Sequence, residues 1–303
     1  MTASVLLPGS RKGAEAMQRA VVRGRSLWDD ALRRLLRNRA AVAGMVVLGL
    51  LVLAAIFGPY LTAYRYDEVN KSDVWFAPLQ HGHLMGTDAL GRDLLARLLI
   101  GLRVSLAIGF VATFVSLVIG VAWGSVAGFV GGRLDEAMMR FVDVLYSLPF
   151  IFFVILLMVT FGSNFILIFV AIGAVEWLTM SRIVRGQTLT LKHKEFVEAA
   201  RAAGLDRGGI IARHIVPNLL GPVVVYVTLT IPAVILAESF LSFLGLGVQP
   251  PMASLGTLIA NGASDMELAP WLLIFPSAVM VITLMSFNFI GDGLRDAIDP
   301  KDR

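Results

Sequence analysis

The chain has 303 residues, 57% hydrophobic and only 16% charged, with a mean hydropathy of +0.77, which marks an integral membrane protein. The absence of cysteine excludes a disulfide framework, a thiolate metal site and a cysteine nucleophile. The formal charge of +4 does not point to nucleic acid, because nine of the 26 Lys and Arg precede the first apolar run, as in the inner tail of a membrane protein.

Residues 1–40 form that basic tail. From Ser26 to Arg39, leucines and alanines recur at helical spacing between arginines. This predicts an amphipathic helix on the inner leaflet, with Trp28 at headgroup depth; a partner-binding segment is the alternative reading. The tail exceeds a signal-peptide n-region and the run after it exceeds an h-region, so no cleaved leader is expected.

Residues 41–63 carry no charge over 23 positions, enough to cross about 30 Å of hydrocarbon. Residues 64–103 are polar and mixed in charge, and read as an external loop. It contains His81 and His83, open either to a metal pair or to two solvated side chains, and the segment GTDALGRD at Gly86–Asp93. Leu94, Leu95, Leu98 and Leu99 then mark an amphipathic helix leading into a second uncharged span, residues 104–130. A short connector follows at 131–140.

The apolar stretch 144–175 is 32 residues long, about 48 Å as one helix and too long for a single crossing. Phe161-Gly162-Ser163-Asn164 reads as a turn that divides it in two. Glu176 falls inside the fourth span, either as a functional carboxylate or as the ion-pair partner of Arg182. A polar loop at 182–220 comes next. Residues 221–237 form a fifth span with Pro222 and Pro232 as kink sites, and Glu238 closes it at the opposite interface. Residues 239–268 contain GLGVQPP and read as an external hairpin. A sixth span follows to Gly291, beginning near the interfacial Trp271, and the charged tail is 292–303. With the N-terminus inside, six spans place 21 of the 26 basic residues on the inner side. One span fewer would export the loop that holds seven of them.

Within that loop, EFVEAARAAGLDRGGIIARHIVP at Glu195–Pro217 predicts a helix, a turn at Gly204 and a second short helix. Gly204 suits a helix end that needs positive φ, and Asp206 suits the next N-cap. Phe196, Ala199, Ala200 and Ala203 share one face, opposite Glu195, Glu198 and Arg201. Small side chains let another surface approach closely, so this is either a docking knob or an ordinary amphipathic loop. Pro217 reads as a break before the fifth span.

No GxxxxGK[ST] phosphate loop occurs, and the apolar spans carry almost no ionisable group, which disfavours ion-coupled secondary transport.

The spacing from Glu198-Ala199-Ala200 through Gly204 to His214 and Pro217 resembles the EAA loop of ABC-importer permeases. GTDALGRD, ESFLSFLGLGVQPP at Glu238–Pro251 and the terminal FNFIGDGLRDAIDPKDR resemble the C-type permeases of bacterial peptide importers. With RSLWDDALRRLLRNRAAVAG near the start, the tail is most similar to the oligopeptide branch of that family. The resemblance implies an all-α, type I ABC-importer permease fold in the bacterial cytoplasmic membrane: six transmembrane helices, both termini cytoplasmic, and a core permease domain over 104–291. It further implies a B-type permease partner, two ATPase subunits that hold ATP and Mg, and an external peptide-binding protein. By that resemblance Glu198, Ala199, Ala200, Gly204, Leu205, His214 and Pro217 couple the chain to the ATPases, and the chain itself binds no cofactor or metal and is not an enzyme. Gln249, Pro250 and Pro251 are a candidate face for the binding protein. A dipeptide, nickel or haem permease shares the same motifs, and a secondary transporter is the alternative of another class.

Overall fold

The computed structural model describes residues 27–161 and 165–298. The expected turn at Gly162–Asn164, the first 26 residues, the last five and the side chain of Trp28 lie outside what is described.

Every named element is helical: α1 (Leu27–Arg37), α2 (Arg39–Leu61), α3 (Leu94–Val130), α4 (Gly132–Ser147), α5 (Phe150–Phe161), α6 (Phe165–Leu191), α7 (Glu195–Ala202), α8 (Arg207–Ile210), a π-helical turn at Ile211–Ile215, α9 (Val216–Phe243), α10 (Leu255–Ser264) and α11 (Trp271–Ile298). Among the described residues, four stretches are long and apolar enough to cross a membrane: α2, α3, Arg207–Phe243 and α11. The pair α4–α5, bent by 84°, makes a fifth if it counts as one broken span.

Helix α2 starts where Asn38 accepts hydrogen bonds from the backbone of Ala40 and Ala41, an N-cap. It is apolar all round. Ala41, Gly44 and Ala55 are buried against the bundle, while Val46, Leu50, Leu53 and Phe57 face outward, as a lipid-facing helix requires.

The helix expected from Leu94 and the uncharged segment 104–130 form one element, α3, which runs unbroken for 37 residues. Two arginines inside it would be costly in an apolar setting, but each is matched. The guanidinium of Arg97 donates to the carboxylate of Asp88. Arg103 Nε donates to the carbonyl of Ala55 at 2.7 Å. Pro59 lies in α2 and has no N–H to offer that carbonyl, so Arg103 supplies the missing donor.

Helix α6 packs along α3 on a stripe of small residues. A Cβ at Gly120 would lie 2.5 Å from Met180 Cγ, one at Gly124 2.9 Å from the Arg185 nitrogen, and one at Gly128 2.8 Å from Thr188 Cβ. Glycine at every fourth position lets the two backbones meet at a distance no side chain would permit. Helix α9 packs against α3, α6 and α11, and α2 pairs with α11.

Three boundaries move because helices outlast their apolar segments. Helix α4 occupies the expected connector, where Arg185 of α6 makes a two-pronged ion pair with Asp135 at 2.5 and 2.7 Å. Helix α6 runs to Leu191, taking the first ten residues of the expected loop. Helix α11 runs through the charged residues to Ile298. The expected external hairpin contains the helix α10, opened by a capping box between Ser254 and Thr257.

Candidate functional site

The segment between α6 and α9 folds as a compact knob. Helix α7 ends in a Schellman motif: the nitrogen of Gly204 donates to the carbonyl of Arg201, and that of Leu205 to the carbonyl of Ala200. Gly204 has φ +84° with open space around it, so the position selects glycine through its backbone alone. Asp206 accepts from the nitrogens of Gly208 and Gly209, capping α8 as the sequence suggests.

Two readings of this loop are corrected. Ala200 does not share a face with Phe196, Ala199 and Ala203. It turns inward with Val197, onto a buried cluster containing Ile210, Ile215, Leu219, Val184 and Phe129, while Phe196, Ala199 and Ala203 stay exposed beside Glu195 and Glu198. A helix of 3.6 residues per turn presents 197 and 200, three positions apart, to the core together, and valine at 197 outcompetes alanine for burial.

The second correction concerns Pro217, which does not break the chain. Helix α8 passes through a π turn, in which the nitrogen of Val216 donates to the carbonyl of Ile211, and continues as α9 with Pro217 in its first turn. A prolyl ring is tolerated there, and the wide turn absorbs the change of pitch. His214 is half-buried within that turn, and its carbonyl accepts from Asn218 Nδ2 at 2.7 Å.

The knob is fastened to the bundle at the end of α3. Lys192 Nζ donates to the carbonyl of Gly128 at 3.1 Å. The Arg201 guanidinium lies 5.3 Å from the centroid of the Phe129 ring, a cation–π distance. The knob is thus tied to the end of α3 and runs on directly into α9.

At the other end of α9 sits a polar cluster. Glu238 does not close the helix at an interface. It is 0% exposed, with α9 continuing to Phe243. Ser242 and Ser254 each donate to its Oε1 at 2.6 Å, and Ser105 donates to Oε2 at 3.4 Å. Three helices, α3, α9 and α10, therefore meet on one carboxylate. Beyond it Gln249, Pro250 and Pro251 are exposed, and Gln249 Nε2 donates to the carbonyls of Gly245 and Gly247.

His81 is exposed, but His83 is not solvated: it is 2% exposed. His83 Nδ1 lies 2.8 Å from Asp93, its Nε2 lies 3.5 Å from Asp73, and its ring stacks on Tyr64. This ties GTDALGRD to the loop behind α2. Among the described residues no group of three or more His, Asp or Glu is placed to hold a metal.

Arg182 does not pair with Glu176. It donates to Asp143 at 2.7 Å and lies over the Tyr146 ring. Arg103, Asp135 and Ser105 escaped the sequence reading, because their partners lie 47 to 150 residues away. Ser242 and Ser254 lie 4 and 16 residues from Glu238 and escaped it because Glu238 was read as standing at an interface. The stripe Gly120, Gly124, Gly128 was missed as well, although its four-residue repeat is the signal that could have found it.

The family model of the binding-protein-dependent transport system inner membrane component matches residues 120–303. The chain belongs to this family. A second model, the N-terminal transmembrane domain of oligopeptide transport permease C, matches residues 26–78 of the permease. The permease is 54% identical over 299 residues to the oligopeptide transport system permease protein OppC of Escherichia coli K12, covering 97% of this chain and 99% of that one. It is 53% identical over 291 residues to OppC of Haemophilus influenzae, covering 96% and 94%. Among solved structures, the inward-facing MetNI methionine ABC transporter matches with a TM-score of 0.56 at 21% identity, over 68% of this chain and 96% of that one. Over that share of its length the permease has the fold of the matched transporter chain.

Proposed function

We propose that this permease is one half of the translocation pathway of an ATP-driven oligopeptide importer, and that the knob at Glu195–Pro217 is where ATPase motion enters. The supporting observation is the exposed stripe of Phe196, Ala199 and Ala203 on a short helix whose other face is locked to the bundle. A partner groove can close on alanine-sized side chains at near-backbone distance, and a rigid seat passes motion on where a loose one absorbs it. Glu198, Ala199, Gly204 and Leu205 form the seat, Ala200 its buried underside, and His214 and Pro217 the passage into α9.

The assembly comprises a B-type permease partner, two ATPase subunits that carry ATP and Mg, and an external peptide-binding protein that meets the face around Gln249, Pro250 and Pro251. Both termini are cytoplasmic, and α6 completes six crossings. This arrangement puts the knob and its cations on the inner side.

The test is uptake by the reconstituted complex of a labelled pentapeptide and a labelled dipeptide, with and without ATP. ATP-dependent entry of the pentapeptide is expected. ATP-dependent entry of the dipeptide alone would keep the machine and correct its cargo, and entry without ATP would overturn the mechanism.

A further inference from the structure

The bend between α4 and α5 opens a cleft of about 450 Å³ against α6, with Ala237 of α9 as a further wall. Leu145, Leu148 and Phe153 make it largely apolar, and among the described residues lining it Glu176 alone carries a charge. Glu176 is half-buried, and no hydrogen bond to its carboxylate occurs among the described residues. The two arginines that follow on the same helix are already committed, Arg182 to Asp143 and Arg185 to Asp135.

A carboxylate in an apolar membrane cleft without a cation of its own is costly, and such groups recur on substrate pathways. The cleft falls in the 300–1,000 Å³ range of small-molecule sites. Every peptide with a free amino end carries one cation of the right charge and size. We propose that Glu176 receives the α-ammonium of a peptide in transit, with Leu148 and Phe153 against its first side chain. The proposal rests on the importer reading above and adds a point of substrate contact within the membrane.

The experiment compares trialanine with lactoyl-dialanine, in which a hydroxyl replaces the ammonium, using the full reconstituted complex. Each rate is measured for the wild type, Glu176→Gln and Glu176→Asp. All three share one binding protein, so its own preference cancels when the rate ratios are compared. Glu176→Gln is expected to lower the trialanine-to-lactoyl ratio roughly tenfold, the scale of one charge-assisted hydrogen bond. Glu176→Asp is expected to restore most of the ratio. An unchanged ratio under ATP-dependent entry overturns the proposal alone. Loss of the partner permease on copurification with Glu176→Gln also overturns it, by making the residue half of an interface ion pair. ATP-independent entry in the wild type overturns the importer reading and the proposal with it.

Discussion

Ser254 caps α10 and donates to Glu238 of α9 with the same hydroxyl, accepting from the nitrogen of Thr257 at 3.1 Å and reaching Glu238 Oε1 at 2.6 Å. One side chain thus fixes where a helix begins and where it docks. Replacing Glu238 by leucine removes the acceptor for three buried hydroxyls, at a cost of about 2–4 kcal/mol for the group. The purified complex is expected to melt at a lower temperature in a tryptophan-fluorescence scan. Glu238→Gln, which keeps one acceptor oxygen, is expected to lose less. A melting curve for Glu238→Leu that overlays the wild type would show that the cluster does not hold these helices.

At Gly204 the strain of a side chain is purely conformational, since nothing lies within reach of an added Cβ. A β-branched residue at φ +84° is destabilised by about 1–2 kcal/mol or more, and the turn would relax by changing the angle between α7 and α8. Gly204→Val is expected to lower ATP-dependent uptake at least tenfold while membrane insertion stays normal. Gly204→Asn, which tolerates the left-handed region, is expected to keep most of it. Equal loss in both variants would assign the effect to bulk and not to the turn.

The α3–α6 seam predicts a contrast between two glycines. Gly124→Leu drives a side chain into the backbone of α6, overpacking by about 1–3 kcal/mol or more. It is expected to cut the yield of folded protein sharply. Gly186→Leu, on the exposed side of α6 with open space around it, is expected to insert as well as the wild type. Comparison of detergent-extracted yields by size-exclusion chromatography decides this.

The pairing of Arg103 with the carbonyl of Ala55 can be tested by a double-mutant cycle. Arg103→Leu leaves that carbonyl without a donor, at about 1–3 kcal/mol. Pro59→Ala returns an N–H to the helix ladder. The loss caused by Arg103→Leu, read as a drop in melting temperature, is expected to shrink when Pro59→Ala is present. Strict additivity of the two changes would show that arginine and proline act independently.

The knob was legible in the sequence because its determinants are local. Gly204 and Asp206 act within a few residues of themselves, and a turn and a cap are properties of short stretches. The apolar runs were legible for the same reason. What stayed hidden was decided by distant partners. Nothing near His83 reveals that Asp93 and Tyr64 enclose it, and nothing near Arg103 reveals a carbonyl left open in α2. Helix ends were misjudged where charge was taken as a stop signal: α6 and α11 run past their apolar segments because the arginines and aspartates there lie in the same helical rod. The inward turn of Ala200 followed from Val197, which a pattern drawn around the alanines overlooked.

The unbroken backbone from Arg207 to Phe243 has a mechanical consequence. At 1.5 Å per residue the rod is about 55 Å long. A tilt of about 5° about its knob end carries the far end sideways by about 5 Å, a full helical pitch. That far end holds Glu238 and, through Ser254, the start of α10. A small tilt at the knob end is thus large enough to separate the Glu238 carboxylate from the Ser254 hydroxyl 2.6 Å away, whereas Ser242, on the same helix, moves with it. The single contact between Glu238 and Ser254 is therefore where leverage along this rod would be felt first.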